Sequence, residues 1–237
     1  MSLVLALDTS AKPVSCALAE NDRVIAEFYA NTGLTHSQTL MPMIENLLNV
    51  AGKTVSQLDA IAVNAGPGSF TGVRIGVSAV KGIAFAHEIP CVAVSTLESM
   101  AEKTVAPPQS VICCLMDARC QQVYAALFEK DREGNLIRLS DDEALTMAQM
   151  TEKLQALGRP IILVGDGSEM CYRAWQDTIP NVHLAPASVR YQSAAATAVI
   201  GLRRFAVGQV VSAEDLQPMY LRLPQAEREL NARLNSK

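Results

Sequence analysis

Two aspartates, each at the end of a short apolar run, are the residues of this sequence best suited to chemistry. Asp8 ends the first such run, and Asp117 ends a similar run in the second half of the chain. In a phosphotransferase, carboxylates placed in this way hold magnesium or activate water. With the hydroxyls of Thr9 and Ser10, they predict a candidate cofactor site in a cleft between two halves of the molecule.

The loops beside the two aspartates are poorly suited to gripping a phosphate. Residues 9–12 and 118–121 contain no glycine, so neither backbone curls easily around an anion. Arg119 is placed to pair with Asp8 or Asp117, which would leave a salt-bridged remnant of a site. We therefore expect a degenerate cleft and no cofactor bound by this chain alone. The alternative is an ATP-binding or peptidase-like enzyme that uses this cleft.

A glycine-rich string over residues 66–76 is the most distinctive motif in the sequence. It is not a Walker A loop, because Gly72 is followed by Val73, where such a loop has lysine. One interpretation is a strand-to-helix turn capped by Ser69 or Thr71. The other is an anion site at the N-terminus of the helix.

The remaining candidate residues form no recognisable catalytic or metal-binding set. None of the 3 histidines, His36, His87 and His183, belongs to an H-x-x-x-H or H-E-x-x-H pattern, so a zinc or iron site built on one helix is not expected. The 6 cysteines form no C-x-x-C pair, and we interpret them as buried thiols in a reducing cytosol. His36, at the start of a predicted helix, is expected to touch a loop or a partner.

The elements that position these residues follow from the apolar pattern. Three apolar runs with short connections at the N-terminus predict an antiparallel meander. A helix over 36–51, a strand over 61–64 and a helix over 71–87 come next. The first half therefore predicts an α/β unit of the form βββαβα, with one more strand and helix appended.

The second half of the chain repeats the first. At an offset of 109 positions, seven of the sixteen residues from 8 to 23 are identical, the two aspartates among them. This similarity predicts an internal duplication, and the Ala-Pro-Pro at 106–108 predicts the break between the copies. We therefore predict two lobes, residues 1–105 and residues 106–237. Together they would form a duplicated α/β fold of the actin-like ATPase and RNase-H-like type.

The helices over 36–51 and 71–87 carry more apolar surface than one sheet can cover. Between residues 73 and 86 only Arg74 and Lys81 are charged, whereas an ordinary surface helix has one polar face. We therefore predict a partner interface here, with burial against the second half of the same chain as the alternative. The predicted interface consists of His36, Leu40, Met43, Ile44, Leu47, Val73, Gly76, Val77 and Val80.

Composition restricts the partners and the compartment. The net charge is -4 and lysines and arginines form no cluster, whereas direct tRNA binding normally needs a basic surface. No apolar run reaches the ~20 residues that span a membrane, and the apolar start lacks the positive charge that precedes it in a signal peptide. We expect a cytoplasmic protein without membrane contact that meets nucleic acid only through a partner.

Across essentially its whole length, the sequence resembles the TsaB (YeaZ) family. The glycine-rich string and the Asp-Ala-Arg segment at 117–119 are specific to that family, and the other similar segments support them. The segments that carry the resemblance are residues 7–10, 36–42, 66–76, 94–97, 117–124 and 218–222.

That resemblance implies a protein without catalytic activity that takes part in forming threonylcarbamoyladenosine in tRNAs that read ANN codons. It implies a heterodimer with TsaD through helices of the N-terminal lobe, TsaE as a third, ATP-hydrolysing component, and a homodimer when TsaD is absent. TsaD, which transfers the threonylcarbamoyl group, carries an H-x-x-x-H metal motif that this sequence lacks. ATP or ADP is then expected only at the level of the complex, which also provides the contact with tRNA.

Overall fold

The computed structural model describes residues 2–222, so residue 1 and residues 223–237, the end of the predicted second lobe, lie outside the described residues. The first half of the chain contains five strands and three helices. They are β1 (Leu3–Asp8), β2 (Val14–Glu20), β3 (Arg23–Ala30), α1 (His36–Ala51), β4 (Ala60–Gly66), α2 (Phe70–Phe85), β5 (Cys91–Ser95) and α3 (Thr96–Lys103).

The second half, as far as it is described, contains six strands and four helices. They are β6 (Val111–Asp117), β7 (Gln122–Lys130), β8 (Leu136–Arg138), β9 (Glu143–Thr146), α4 (Met147–Gln155), β10 (Ile161–Val164), α5 (Ser168–Trp175), β11 (Val182–Leu184), α6 (Ala187–Arg190) and α7 (Ala194–Ala206).

The two sheets repeat the same strand order. The first sheet runs β3-β2-β1-β4-β5 and the second runs β8-β7-β6-β10-β11, with β9 also paired to β7. In each sheet the central strand is antiparallel to its following neighbour and parallel to the strand after the first helix. This repetition confirms the predicted duplicated plan of two lobes with an actin-like, RNase-H-like fold.

Each central strand is buried on both faces, which explains why it is apolar throughout. Leu3, Leu5 and Leu7 of β1 face α1 and α2 on the outer side of the first sheet. Val4 and Ala6 face α7 on the inner side. In the second lobe, α4 and α5 cover the outer face of the sheet and α3 covers the inner face. Helices α3 and α7 therefore form a shared layer between the two sheets.

The last helix of each half packs on the sheet of the other half. Leu97 and Met100 of α3 pack against the second sheet, and Ala198 and Leu202 of α7 pack against the first. The lobe boundary predicted at residue 105 is therefore wrong, because α3 joins the second sheet and α7 returns to the first. The apolar pattern identifies a buried helix face but does not show which sheet covers it.

The predicted helix boundaries follow from local capping. Helix α1 ends at Gly52, whose φ of 62° lies in the left-handed region that glycine adopts without strain. The Ser69 hydroxyl accepts a hydrogen bond from the Gly72 amide at the start of α2, at 3.3 Å. The Ser95 hydroxyl does the same for the Glu98 amide at the start of α3. Serine and glycine residues thus mark these ends in the structure, although α2 starts one residue earlier and ends two residues earlier than the predicted range of 71–87.

Candidate functional site

A cleft of about 710 Å³ lies between the two lobes. Its walls are the loops after β1 and β4 on one side and the loops after β6 and β10 on the other, with residues 219–222 along one edge. Of the four predicted cofactor residues, Ser10 and Asp117 line the cleft, whereas Asp8 and Thr9 do not. Half of the predicted site therefore has to be corrected.

Asp8 is turned into the first lobe and is only 1% exposed. One carboxylate oxygen accepts hydrogen bonds from the amide and the hydroxyl of Ser10, at 2.9 and 2.6 Å. The other accepts a hydrogen bond from Nδ2 of Asn64, at 2.7 Å. Burial raises the pKa of Asp8 above its ordinary value, and the hydrogen bonds from Ser10 and Asn64 act against that rise. Asp8 is therefore a buried structural carboxyl group.

Asp8 and Asp117 do not occupy equivalent positions in the two lobes, although the sequence aligns them without a gap. Asp8 pairs with Ser15 across β1 and β2, whereas Asp117 pairs with Val123, one residue short of the position equivalent to Ser15. This one-residue difference in register places the two carboxyl groups on opposite faces of their sheets. Asp8 continues the inner, α7-facing side of β1, and only Asp117 reaches the cleft.

The glycine-rich string packs against the loop after β1. A Cβ atom at Gly68 would lie 2.4 Å from the Ser10 carbonyl oxygen, and one at Gly72 would lie 2.1 Å from that of Thr9. The Thr9 hydroxyl donates to the Gly72 carbonyl oxygen at 2.7 Å, and the Ser69 amide donates to the Ser10 carbonyl oxygen at 2.7 Å. These glycines leave room for the protein's own backbone. The packing therefore supports the interpretation of the string as a strand-to-helix turn rather than as an anion site.

The second lobe uses the same arrangement with different residues. A Cβ atom at Gly165 would lie 2.1 Å from the Leu115 carbonyl oxygen, and one at Gly167 would lie 3.0 Å from the Met116 carbonyl carbon. Both glycines follow β10 and pack on the end of β6, as Gly68 packs on the loop after β1. The turn after β4 in the first lobe and the turn after β10 in the second therefore both contact the central strand of their sheet or its loop directly.

Among the acidic residues of the second lobe, Asp117 and Asp166 line the cleft. Asp117 accepts a hydrogen bond from the Arg119 amide at 2.8 Å, and its carboxylate lies 3.5 Å from the Arg119 guanidinium, so the expected pair forms with Asp117. Asp166 lies nearby, and its burial, together with the charge of Asp117, raises its pKa to about 6. Nothing in the sequence spacing shows that Asp166 lies close to Asp117, so the sequence alone does not identify this pair.

The segment at 218–222, one of those that carry the family resemblance, connects the two lobes across the edge of the cleft. The Met219 amide donates to the Ala65 carbonyl oxygen of the first lobe at 2.7 Å. The Arg222 guanidinium donates to the Ala118 carbonyl oxygen of the second lobe at 2.9 Å. We call residues 218–222 the strap.

Most of the predicted interface residues lie inside the first lobe. Six of the apolar side chains are 0 to 3% exposed, because they point toward the first sheet and form its outer core. They are Leu40, Ile44, Leu47, Val73, Val77 and Val80. Gly76 is also buried, and a Cβ atom there would meet the Thr9 hydroxyl at 2.5 Å. The prediction that these residues contact a partner is therefore wrong.

His36 and Met43, the other two predicted interface residues, are partly exposed. The His36 Nε2–H donates to the Ala11 carbonyl oxygen at 2.7 Å. His36 therefore touches the loop after β1, which was one of its two expected roles. Met43 packs against the edge of the outer core.

The outward face of the same two helices still carries apolar side chains. Phe85 on α2 is 79% exposed and Met41 on α1 is 49% exposed. An open depression of about 450 Å³ on α2 is lined by Phe70, Thr71, Arg74, Ile75 and Ser78. We call this outward surface of α1 and α2 the helix face; besides these residues it includes Ala79 and Gly82.

The described part of the chain shows neither a metal-binding cluster nor a membrane-spanning helix. Among residues 2–222, no three His, Cys, Asp or Glu side chains come together in a way that would hold a metal ion. Over the same residues, no helix has the length and apolar character that crossing a bilayer requires.

Comparison with known proteins gives a consistent result. A family model described as "TsaD: tRNA N6-adenosine threonylcarbamoyltransferase" matches residues 30–228. The chain is 31% identical to the tRNA threonylcarbamoyladenosine biosynthesis protein TsaB of Escherichia coli (strain K12), over 92% of this chain and 94% of that protein. It is 32% identical to the protein of the same name from Bacillus subtilis (strain 168), over 94% and 96%. The solved structure of YeaZ from Pseudomonas aeruginosa superposes with a TM-score of 0.78 at 30% identity, over 93% of this chain and 100% of that one.

Proposed function

The chain belongs to the TsaB (YeaZ) family of tRNA threonylcarbamoyladenosine biosynthesis proteins, within the larger group that the TsaD model matches, and from that premise we propose that it is a non-catalytic subunit that binds and supports TsaD. The helix face is the observation that supports this proposal most directly, because apolar residues are exposed there. In the neighbouring cleft, by contrast, the glycine turns pack against the protein's own backbone. The chain would act in the cytoplasm and meet tRNA only through the complex.

The arrangement of the cleft supports the non-catalytic role. A phosphotransferase needs an accessible carboxylate and free backbone amides to hold a metal–phosphate group. Here Asp8 has three hydrogen-bond donors of its own, and the Ser69 amide is already bonded to the Ser10 carbonyl oxygen. Asp117 is held by Arg119. The residues best placed for chemistry are thus used for structure.

The helix face supports the binding role. A Cβ atom at Gly82 would have no neighbour within 4 Å, and Ser78 and Gly82 are both exposed, so the backbone of a partner helix can approach α2 closely here. The aromatic ring of Phe85 and the apolar side chain of Met41 supply surface whose burial favours association. We propose that TsaD covers this face, that a second copy of this chain covers it when TsaD is missing, and that TsaE joins the assembly as a third component. A nucleotide would then bind only at the level of the complex.

An enzyme acting through the cleft is the competing proposal, and the pair Asp117 and Asp166 is what favours it. A carboxyl group with a pKa of about 6 beside a second carboxyl group is an arrangement suited to proton transfer. That proposal requires the isolated chain to turn over ATP or a peptide. It also requires the Asp166→Asn variant to lose that turnover.

A reconstitution experiment tests the proposed function. Purified TsaD and TsaE are incubated with tRNA, ATP and the threonylcarbamoyl donor, with and without this chain, and modified adenosine is measured. We expect modification only when the chain is present, unchanged modification with Asp166→Asn, and no ATP turnover by the chain alone with magnesium. Modification without the chain, or turnover abolished by Asp166→Asn, would contradict the proposal.

A further inference from the structure

Four buried polar side chains form a continuous hydrogen-bonded line through the apolar layer between the first sheet and α7. The Ser99 hydroxyl on α3 lies 2.9 Å from the Thr197 hydroxyl on α7. The Thr197 hydroxyl lies 3.0 Å from Oδ1 of Asn64, and Nδ2 of Asn64 lies 2.7 Å from Asp8. All four residues are at most 1% exposed. We call them the relay.

The side-chain amide of Asn64 fixes the direction of the hydrogen bonds in the relay. Its nitrogen donates to Asp8, so its oxygen, which can only accept, faces α7. The Thr197 hydroxyl must then donate to Asn64, which leaves its lone pairs for the Ser99 hydroxyl. All donors therefore point toward Asp8, and bonds aligned in this way strengthen one another.

The two ends of the relay belong to different lobes. Ser99 lies on α3, which packs on the second sheet, whereas the other three residues belong to the first sheet or to α7. Ion pairs between Arg204 and Glu98 at 2.6 Å, and between Arg203 and Glu102 at 2.8 Å, join the same two helices. Ser99 therefore lies where α3, packed on the second sheet, meets α7, packed on the first, and a change in the angle between the lobes would act on this contact.

The other end of the relay reaches the start of α2. The Asp8 carboxylate holds the Ser10 amide at 2.9 Å, and the Ser10 carbonyl oxygen accepts from the Ser69 amide at 2.7 Å. The Ser69 carbonyl oxygen in turn accepts from the Val73 amide at 2.8 Å. The loop that Asp8 holds is thus the loop on which the first turn of α2 rests.

We propose that the relay is a conformational coupling device, through which the position of one lobe against the other controls the order of the first turn of α2. Asp8, which sequence reasoning assigned to cofactor binding, is the anchor of this device. Because α2 carries part of the helix face, a movement of the cleft would reach the surface proposed for the partner. The coupling itself needs no partner, and its test is independent of the proposed function.

Hydrogen exchange on the full chain tests the coupling. Ser99→Ala removes only the end of the relay that lies with the second lobe, and Thr197→Val removes the central hydroxyl at constant side-chain volume. We expect each variant to speed exchange of the Ser10 and Ser69 amides about fivefold, the size of effect that loss of one buried hydrogen bond produces. Because the residues act in one line, the double variant should change exchange by less than the product of the two single effects.

A buried threonine just after the C-terminal end of α3 supplies the matched control. Thr104 follows the last residue of the helix and is 2% exposed, and its hydroxyl donates to the Met100 carbonyl oxygen of α3 at 2.8 Å. Thr104→Val should leave the Ser10 and Ser69 amides at the wild-type rate. Unchanged exchange of these amides in Ser99→Ala, or an equal increase in Thr104→Val, would overturn the proposal. Amides of β10 serve as the reference for any global loss of stability.

Discussion

The ring of Tyr220 stacks on the ring of Phe70, with centroids 5.0 Å apart and an interplanar angle of 30°. Phe70 is the first residue of α2. The Arg74 guanidinium lies over the Phe70 ring, 5.1 Å from its centroid. The strap is therefore attached to the helix face by one aromatic pair, at the edge of the cleft.

Removing the aromatic ring of Tyr220 should loosen the strap. We expect Tyr220→Ala to lower the free energy of unfolding by about 1 kcal/mol, the typical value of an aromatic pair, and to speed exchange of the Met219 amide, which bonds to Ala65. Chemical denaturation and hydrogen exchange measure the two effects. Tyr220→Phe keeps the ring and should behave as the wild type. A Phe variant as unstable as the Ala variant would show that the stacking is not what holds the strap.

Two glycines of α2 should respond in opposite directions to the same substitution. A Cβ atom at Gly76 would lie 2.5 Å from the Thr9 hydroxyl, whereas one at Gly82 would have no neighbour within 4 Å. Gly82→Ala should stabilise the protein by about 0.5–1 kcal/mol through its higher helix propensity. Gly76→Ala should destabilise it, since the clash outweighs the same gain. Thermal unfolding of both variants is the measurement, and equal shifts would contradict the packing described for the loop after β1.

The partly buried carboxyl group of Asp166 should make stability depend on pH. Its pKa is raised from 3.8 to about 6 in the folded protein, first by burial. The folded state therefore keeps a proton that the unfolded state has lost, so its stabilising effect is complete below about pH 4 and is lost as pH rises toward 6. Asp166→Asn should raise stability at pH 7 relative to the wild type and flatten the change between pH 4 and 6. Denaturation across that range measures this effect. Asp177→Asn, at an exposed residue of the same lobe, is the control and should leave the pH profile unchanged.

The elements of the first half and their order were predictable because each depends on local pattern. Apolar runs identified the strands, helical spacing identified α1 and α2, and Ser69 was one of the two residues predicted to cap α2. The duplication was visible because enough residues of the first two strands are identical in both copies. These features require no knowledge of what packs against what.

The site was harder to predict because it depends on register and on partners in space. The register of β1 against β2 differs by one residue from the register of β6 against β7. This difference turns Asp8 away from the cleft, and the ungapped match between the two halves of the sequence does not reveal it. The excess apolar surface of α1 and α2 was identified correctly, but most of it is covered by their own sheet. Likewise, the exchange of α3 and α7 between lobes is a property of tertiary packing that helical periodicity cannot show.

A matched pair of charge substitutions tests the central claim, that TsaD binds the helix face. Ser78 lines the depression on α2 and Ser188 is an exposed serine of α6, so Ser78→Glu and Ser188→Glu make the same chemical change on the two lobes. Val77 and Val80 are unsuitable for this test because their side chains are buried, so a charge at either position would disrupt the core of the first lobe. The affinity of each variant for TsaD is measured by calorimetry. We predict that Ser78→Glu weakens binding at least tenfold while Ser188→Glu binds as the wild type; equal affinities for the two variants would place the interface elsewhere and contradict the account.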